Sequence, residues 1–347
     1  MGGTALLYLI LAILVLEFLL SKFLEFLNYK SLKEALPESL KGIYEEEKYA
    51  KSIAYNRANS RFSFLVSTLS FILVLILIIT GSFGRLDTWL REYVGNEIAL
   101  SLAFFGILAF AGDILSTPFN IYDTFVIEEN FGFNKTTPRI YFIDKIKGYF
   151  LSGLIGGGLL SLLLIMISRL GPSFWIFFWI AFAVFVLFMN MFYTTLILPL
   201  FNKLSPLEDG ELKTRIREYS EKVKFPLDNI FVIDGSKRST KSNAFFSGIG
   251  KKKKIVLYDT LIRNHPVDEL IAVLAHEVGH YKKKHILRSY LLSLAQTGLL
   301  LFLMSRILFN PELSAAFGAS AMGIHINLLV FAILISPLNH LLGISMN

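Results

Sequence analysis

The stretch Ala275-His276-Glu277-Val278-Gly279-His280 lies between apolar segments that are long enough to cross a membrane. On an α-helix, residues four positions apart share a face, so His276 and His280 can both reach one metal ion. Glu277 falls between them and can act on a water molecule without ligating the metal itself. The pattern therefore predicts a helix-borne zinc site that can hydrolyse peptide bonds. Two surface histidines on an amphipathic helix are the alternative interpretation.

The composition is that of a membrane protein. Of the 347 residues, 54% are hydrophobic, and they are concentrated in blocks, as in chains that cross a membrane several times. The chain has no cysteine, which excludes disulfides, Cys-ligated zinc and thiol catalysis. The formal net charge is +7. Because the basic residues cluster in alternate loops, membrane topology explains this charge, and we expect no nucleic-acid partner.

Seven apolar runs are long enough to cross about 30 Å of hydrocarbon at about 1.5 Å per residue. These predicted spans are Thr4–Leu27, Phe62–Gly81, Glu97–Thr117, Tyr149–Ile167, Ser173–Leu200, Ser289–Leu308 and Ala321–Ile344. Lys and Arg are concentrated in the first, third and fifth of the loops that connect them. Because basic loops stay on the cytoplasmic side, we expect these three loops inside and the N-terminus outside. The predicted fold class is an all-α integral membrane protein of about seven transmembrane helices with a small α+β domain.

Loop five, Phe201–Arg288, is the only loop large enough to form a domain outside the membrane. Its predicted elements are an amphipathic helix, two β-rich runs and the histidine-bearing helix, at Leu207–Val223, Ile230–Ile233, Lys254–Tyr258 and from Pro266 onward. The pattern predicts three domains. Residues 1–200 hold spans one to five, residues 201–288 form a cytoplasmic zincin-like metallopeptidase domain, and residues 289–347 hold spans six and seven.

The residues near the motif leave the third zinc ligand open. His285 lies about 140° around the helix from His280, so we expect it at the membrane interface or on a polar face rather than at the metal. Glu312 is the only acidic residue after His280, and the predicted topology places it outside. His340 lies in the last span, where it is either a functional residue or a helix-packing or interfacial residue. His265 is expected at the start of the histidine-bearing helix.

Further motifs accompany the two histidines. They are Tyr122–Glu129 with Phe131–Asn134 in loop three, then Leu200–Leu204, Ser236–Ser239 with Ser242–Ala244, and Ile255–Leu261. Together with the histidine motif, these stretches resemble the type I CAAX prenyl proteases, which are integral-membrane zinc metalloendopeptidases. The resemblance covers most of the chain, and the seven predicted spans agree with it.

The resemblance implies that His276 and His280 bind one zinc ion per chain and that Glu277 is the general base. It also implies that the segment Asn243, Ala244 and Phe245 lines the substrate groove, because an exposed strand edge can hold an extended peptide by main-chain hydrogen bonds. A turn residue between two strands is the alternative for Asn243. In the family, the spans surround an intramembrane chamber that the zinc domain closes on the cytoplasmic side.

The resemblance further implies a third zinc ligand, a glutamate, beyond Asn347, so the chain looks like a family member that lacks the C-terminal segment. We expect a monomer in the lipid bilayer, in a bacterial inner membrane rather than the endoplasmic reticulum. Its expected substrates are prenylated (CAAX) or other membrane-associated proteins, cleaved near their C-terminus. A catalytically silent truncated scaffold and a heat-shock-associated protease of the HtpX type remain alternatives. Seven spans and the residues Tyr122–Asn134 argue against the HtpX type.

Overall fold

A computed structural model shows a mostly helical chain with one small sheet. It describes residues 2–33, 35–38, 41–42, 45–225, 229–247 and 254–346. The helices, in chain order, are α1 (Gly3–Ser31), α2 (Glu46–Ile79), α3 (Ser82–Tyr93), α4 (Glu97–Tyr122), α5 (Glu128–Asn130), α6 (Pro138–Leu151), α7 (Gly157–Leu170), α8 (Phe174–Leu196), α9 (Leu198–Phe201), α10 (Glu211–Lys222), α11 (Asp259–Asn264), α12 (Val267–Lys282), α13 (His285–Ile307), α14 (Pro311–Ala316), α15 (Ile324–Leu334) and α16 (Ser336–Met346). The strands are β1 (Leu204–Pro206), β2 (Asn229–Ile233), β3 (Ala244–Ser247) and β4 (Lys254–Tyr258).

Within the described residues, several helical stretches are long and apolar enough to cross a membrane. Five qualify alone: Gly3–Ser31, Glu46–Ile79, Glu97–Asn130, Pro138–Phe201 and Leu287–Ile307. The pair α15 and α16, bent by 46°, makes a sixth if it is counted as one span. The 64-residue run Pro138–Phe201 contains both the fourth and the fifth predicted spans, on either side of a 3₁₀ turn at Gly171–Ser173. Each predicted span therefore corresponds to one of these stretches, and the predicted fold class is confirmed.

The chain divides into two compact units. Unit 1 comprises Met1–Phe131, Leu159–Trp175 and Leu299–Asn347, and unit 2 comprises Gly132–Gly158 and Ile176–Gly298. Unit 2 contains the whole sheet and the helix α12 that carries His276 and His280.

The sheet of unit 2 has the strand order β1-β2-β4-β3. The central strands β2 and β4 are parallel, and the edge strands β1 and β3 are antiparallel to their neighbours. In β4, Ile255, Val256 and Leu257 are all buried, because both faces of the sheet are covered. The two β-rich runs predicted from sequence form the two central strands. The short edge strands, of three and four residues, were not predicted.

One face of this sheet carries the main core of unit 2. Ile255 and Leu257 of β4 pack with Leu270, Leu274 and Val278 of α12 in this core. Val256, whose side chain points to the opposite face, belongs to a smaller cluster. The helix α12 is therefore fixed to the sheet by a continuous apolar contact.

Unit 1 has a core of its own, built by α1, α2, α3, α4, α14 and α15. Its side chains Ile10, Phe104, Phe317, Ile326 and Val330 have no exposed surface. Two glycines allow the backbones of α3 and the residues after α14 to come close together. A Cβ atom on Gly84 would lie 2.2 Å from the carbonyl carbon of Gly318, and the Gly84 N–H donates to the Phe317 carbonyl at 3.1 Å.

A buried polar network ties α3, α4 and α15 together within unit 1. His325 Nε2 lies 3.0 Å from Asp87 Oδ1, and its Nδ1 lies 3.2 Å from Ser101 Oγ. Arg91 donates from Nε to Asp87 at 3.0 Å and from Nη1 to Glu97 at 2.6 Å. These contacts resemble a hydrolase triad, but His325 and Asp87 have no exposed surface and Ser101 is 2% exposed. Because no substrate can reach Ser101, we interpret the network as structural.

We expect Gly84→Ala to lower the thermal unfolding midpoint of the detergent-solubilised protein. The new methyl group would meet backbone atoms that cannot rotate away, and overpacking of this kind costs about 1–3 kcal/mol. Gly112→Ala in α4 is the matched control, because a Cβ there meets no atom within 4 Å. Tryptophan fluorescence during heating measures the midpoint. Equal midpoints for the two variants would contradict the close approach of the two backbones.

Asp87→Ala is expected to destabilise the fold by about 1–3 kcal/mol, because it leaves the fully buried His325 without its carboxylate partner, while Arg91 keeps its bond to Glu97. Asp268→Ala makes the same chemical change at a side chain that is 86% exposed and should leave the midpoint nearly unchanged. The same thermal measurement compares them. A stable Asp87→Ala protein would show that the network adds little to the folding of unit 1.

Candidate active site

The helix α12 begins and ends at recognisable signals. Pro266 directly precedes it, and Asp268 and Glu269 lie in its first turn, where carboxylates oppose the positive end of the helix dipole. The helix ends at Lys282, and Lys284 has a φ of +56° before α13 begins. The predicted start is confirmed. The helix ends before the sixth predicted span, because the left-handed Lys284 separates α12 from α13.

The buried face of α12 determines where its histidines lie. Leu270, Leu274 and Val278, spaced four residues apart, are 4%, 3% and 2% exposed. His276 lies about 160° around the helix from Val278, and its side chain is exposed. Because one face of α12 is buried in the sheet, the opposite face presents the histidine positions to the outside.

Of the two predicted metal ligands, His276 lies on this open face. His280 follows His276 by one turn of the same helix, although the His280 side chain lies outside the described part of the structure. Glu277 is half-buried beside them. At Gly279 a Cβ atom would meet nothing within 4 Å, so there is space next to the histidines. The four-residue spacing of His276 and His280 on one helix is that of two zinc ligands.

A complete metal site is not formed by the described side chains. The described side chains do not include that of His280. Within them, no group of three or more His, Cys, Asp or Glu residues could hold a metal ion. The third ligand therefore remains unassigned in this part of the chain.

The edge strand β3 lies against α12. The Tyr258 N–H donates to the Asn243 carbonyl at 3.0 Å, which makes these residues a hydrogen-bonded antiparallel pair. Because paired residues alternate, the main-chain groups of Ala244 and Phe246 point away from β4, toward the free edge. Asn243 is exposed, and its Oδ1 accepts the N–H of Ala244 at 2.8 Å. Phe245 is half-buried on the same strand. The structure thus brings an open strand edge next to the histidine-bearing helix.

The remaining histidines lie elsewhere on the helices. His265 follows α11, and its Nδ1 is 2.8 Å from Glu269. His285 is the half-buried first residue of α13. His340 in α16 is 69% exposed, and its Nδ1 lies 3.4 Å from the Glu17 carboxylate of α1.

Asp259 accepts hydrogen bonds from two separate segments of unit 2, a role that the sequence did not predict. It begins α11 and accepts the N–H groups of Ser236 at 2.8 Å and Thr260 at 2.9 Å, the Ser236 hydroxyl, and Arg263 at 3.0 Å. Burial by itself raises the pKa of the Asp259 carboxyl, but the bonds from Ser236 and the charge of Arg263 outweigh it, so the pKa lies below its usual value. Asp259 is thus ionised, and its bonds join the turn that contains Ser236 to the start of α11.

Two family models match consecutive parts of the chain. Residues 25–203 match the model described as "CAAX prenyl protease N-terminal, five membrane helices". Residues 206–345 match the model of peptidase family M48. Together they cover nearly all of the chain.

Curated relatives and a solved structure agree with these matches. CAAX prenyl protease 1 of Saccharomyces cerevisiae is 37% identical over 88% of this chain and 70% of its own length. The Arabidopsis thaliana and human homologues of CAAX prenyl protease 1 are 34% and 32% identical, over 97% and 91% of this chain and 82% and 76% of theirs. The crystal structure of S. mikatae Ste24p superimposes with a TM-score of 0.90 and 34% identity, covering 96% of this chain and 83% of that one.

Proposed function

Because the chain belongs to the CAAX prenyl proteases of peptidase family M48, and is therefore a multi-pass membrane metalloendopeptidase, we propose that it is a zinc enzyme that cleaves membrane-associated proteins near their C-terminus. The observation that carries this proposal is the arrangement of α12. His276 and Glu277 lie on or beside its open face, one turn before His280, and the free edge of β3 lies against the same helix.

Each residue has a separate chemical role in this proposal. His276 and His280 hold the metal through their imidazole nitrogens, and a third ligand completes the site. When bound, zinc polarises the scissile carbonyl and makes water more acidic. Glu277 takes a proton from the attacking water and passes it to the nitrogen of the leaving amine. Its half-buried position beside the histidine face suits this proton transfer.

The substrate is held as an added strand. Ala244 and Phe246 turn their main-chain groups to the free edge of β3, so an extended peptide can pair with them. Asn243, whose amide oxygen covers the Ala244 N–H, is placed to exchange that bond for one with the substrate backbone. The names of the relatives support prenylated CAAX proteins as the substrates. The distribution of Lys and Arg supports a cytoplasmic site.

We expect Glu277→Gln to abolish cleavage of a farnesylated peptide ending in a Cys-aliphatic-aliphatic-X sequence, while zinc content stays the same. The amide keeps the size of the side chain but cannot accept the proton, and loss of a general base costs roughly 10²–10⁴-fold in rate. His280→Ala should lose both zinc and activity. Product analysis by mass spectrometry and metal analysis of the purified full chain measure the two effects.

Glu269→Gln is the matched control, because it makes the same change in the first turn of the same helix. It should retain both cleavage and zinc. A Glu277→Gln protein that cleaves at the control rate would show that Glu277 is not the base.

Ala244→Pro should weaken peptide binding without unfolding unit 2. Proline removes the Ala244 N–H on the free edge of β3 but none of the bonds to β4, and edge strands tolerate proline at such positions. We expect KM to rise about tenfold, whereas Ala244→Ser, which keeps the N–H, should be nearly unaffected. Steady-state cleavage kinetics on the farnesylated peptide test this. Equal KM values for the two variants would exclude strand addition at Ala244.

A further inference from the structure

The segment Asp234–Asn243 connects β2 to β3 and leads directly into the proposed substrate edge. Its regular structure is a single 3₁₀ turn at Gly235–Lys237. Since few backbone hydrogen bonds form within the segment, the conformation of the segment depends on contacts from other parts of unit 2. These contacts come from four stretches that are distant in sequence.

The beginning of the segment is held by the residues that precede β1. The Asp234 carboxylate accepts the N–H of Lys203 at 2.8 Å and the side-chain amide of Asn202 at 3.1 Å. Next to it, a Cβ atom on Gly235 would lie 2.3 Å from the ring of Tyr258. The close approach of Gly235 to that ring fixes the start of the segment against the end of β4.

The middle of the segment is held through Arg238, which bonds to residues of other elements. Its guanidinium donates from Nε and Nη2 to the two oxygens of Asp144 in α6, at 2.8 and 3.0 Å, and from Nη2 to the carbonyl of Phe201 at 2.7 Å. The backbone carbonyl of Arg238 accepts the N–H of Lys135 at 2.9 Å and the hydroxyl of Thr136 at 3.2 Å. Arg238 and Asp144 are each 23% exposed, and the two-bond geometry restricts their relative orientation.

Residues from loop three pair with the part of the segment that follows Arg238. Asn134 and Ser239 form an antiparallel bridge. The Thr240 N–H donates to the Phe133 carbonyl at 3.0 Å, and its hydroxyl donates to the Gly132 carbonyl at 3.1 Å. This pairing extends the contact of Arg238 over three successive residues of the segment.

The end of the segment is held by the residues where β4 meets α11. The Thr260 hydroxyl donates to the Lys241 carbonyl at 3.0 Å, and the Tyr258 N–H donates to the Asn243 carbonyl at 3.0 Å. The segment is therefore held between loop three and α11, and it delivers Asn243 to the strand edge in one orientation.

These contacts indicate a role for the motifs Phe131–Asn134 and Ser236–Ser239, which take no part in the proposed metal chemistry. We infer that Arg238 and Asp144 are positioning residues for peptide binding: their ion pair fixes the segment that presents Asn243 and the β3 edge to the substrate. This role rests on the proposed function of β3 as the substrate edge. Neither side chain takes part in bond cleavage, so their loss should reduce substrate affinity rather than the rate of the chemical step.

Binding of a peptide to a protein that cannot cleave it tests this role directly. In the full chain carrying Glu277→Gln, the Kd of a fluorescently labelled farnesylated peptide ending in Cys-aliphatic-aliphatic-X is measured by anisotropy. Arg238→Gln and Asp144→Asn should each raise this Kd about tenfold, equivalent to about 1.4 kcal/mol. The double variant should bind as weakly as either single variant, because both changes remove the same pair. Arg238→Lys, which cannot form the two-bond contact, should lie between.

Arg215→Gln is the matched control. It removes another Arg–Asp pair of unit 2, that of Arg215 with Asp268 at 2.8 Å, which is exposed on both sides. Its Kd should equal that of the parent. In enzyme that retains Glu277, the Arg238 and Asp144 variants should raise KM and change kcat less than twofold.

The role of the pair is contradicted if Arg238→Gln and Asp144→Asn leave Kd unchanged, or if kcat falls while KM stays constant. If Arg238→Gln does not fold, as judged by its thermal midpoint, Asp144→Asn decides, because asparagine preserves the shape of the side chain. Failure of the parent Glu277→Gln protein to bind the peptide would contradict the substrate assignment itself, and with it this role of Arg238. The two failures are thus distinguishable.

Discussion

The burial of one face of α12 in the sheet of unit 2 is the contact on which the proposed chemistry depends. Leu270, Leu274 and Val278 are almost fully removed from water, and burying each such side chain contributes about 1.5–3 kcal/mol. This contact fixes the rotation of the helix about its axis. A rotation by one residue, about 100°, would expose the apolar face and turn His276 toward the core.

The strand edge beside α12 needs a second constraint, because an edge strand has a neighbour on one side only. Four residues form β3, and the segment before it is held by charged and main-chain contacts to loop three, α6 and α11. Unit 2 therefore combines an apolar contact that orients the histidine face with polar contacts that orient the proposed peptide-binding edge. The motifs shared with the CAAX prenyl proteases fall on both.

Periodic patterns made much of the fold predictable. The long apolar runs indicated the spans, and the β-rich runs Ile230–Ile233 and Lys254–Tyr258 became the buried central strands. The edge strands β1 and β3 have only three and four residues, which are too few to show a clear alternation of polar and apolar residues. Arg238 and Asp144 are 94 residues apart, and His325 and Asp87 are 238 apart. No local pattern links residues at such separations.

The one-turn spacing of His276 and His280, the place of Glu277 between them and the membrane class could be predicted from the amino-acid sequence, because helix periodicity and hydropathy are local properties. The contacts between distant segments were decided only by the tertiary structure. It set α12 against a strand edge, paired Arg238 with Asp144, and enclosed His325 in a buried polar network. These outcomes arise from side chains that meet only when distant segments pack, since burial and pairing depend on the whole chain.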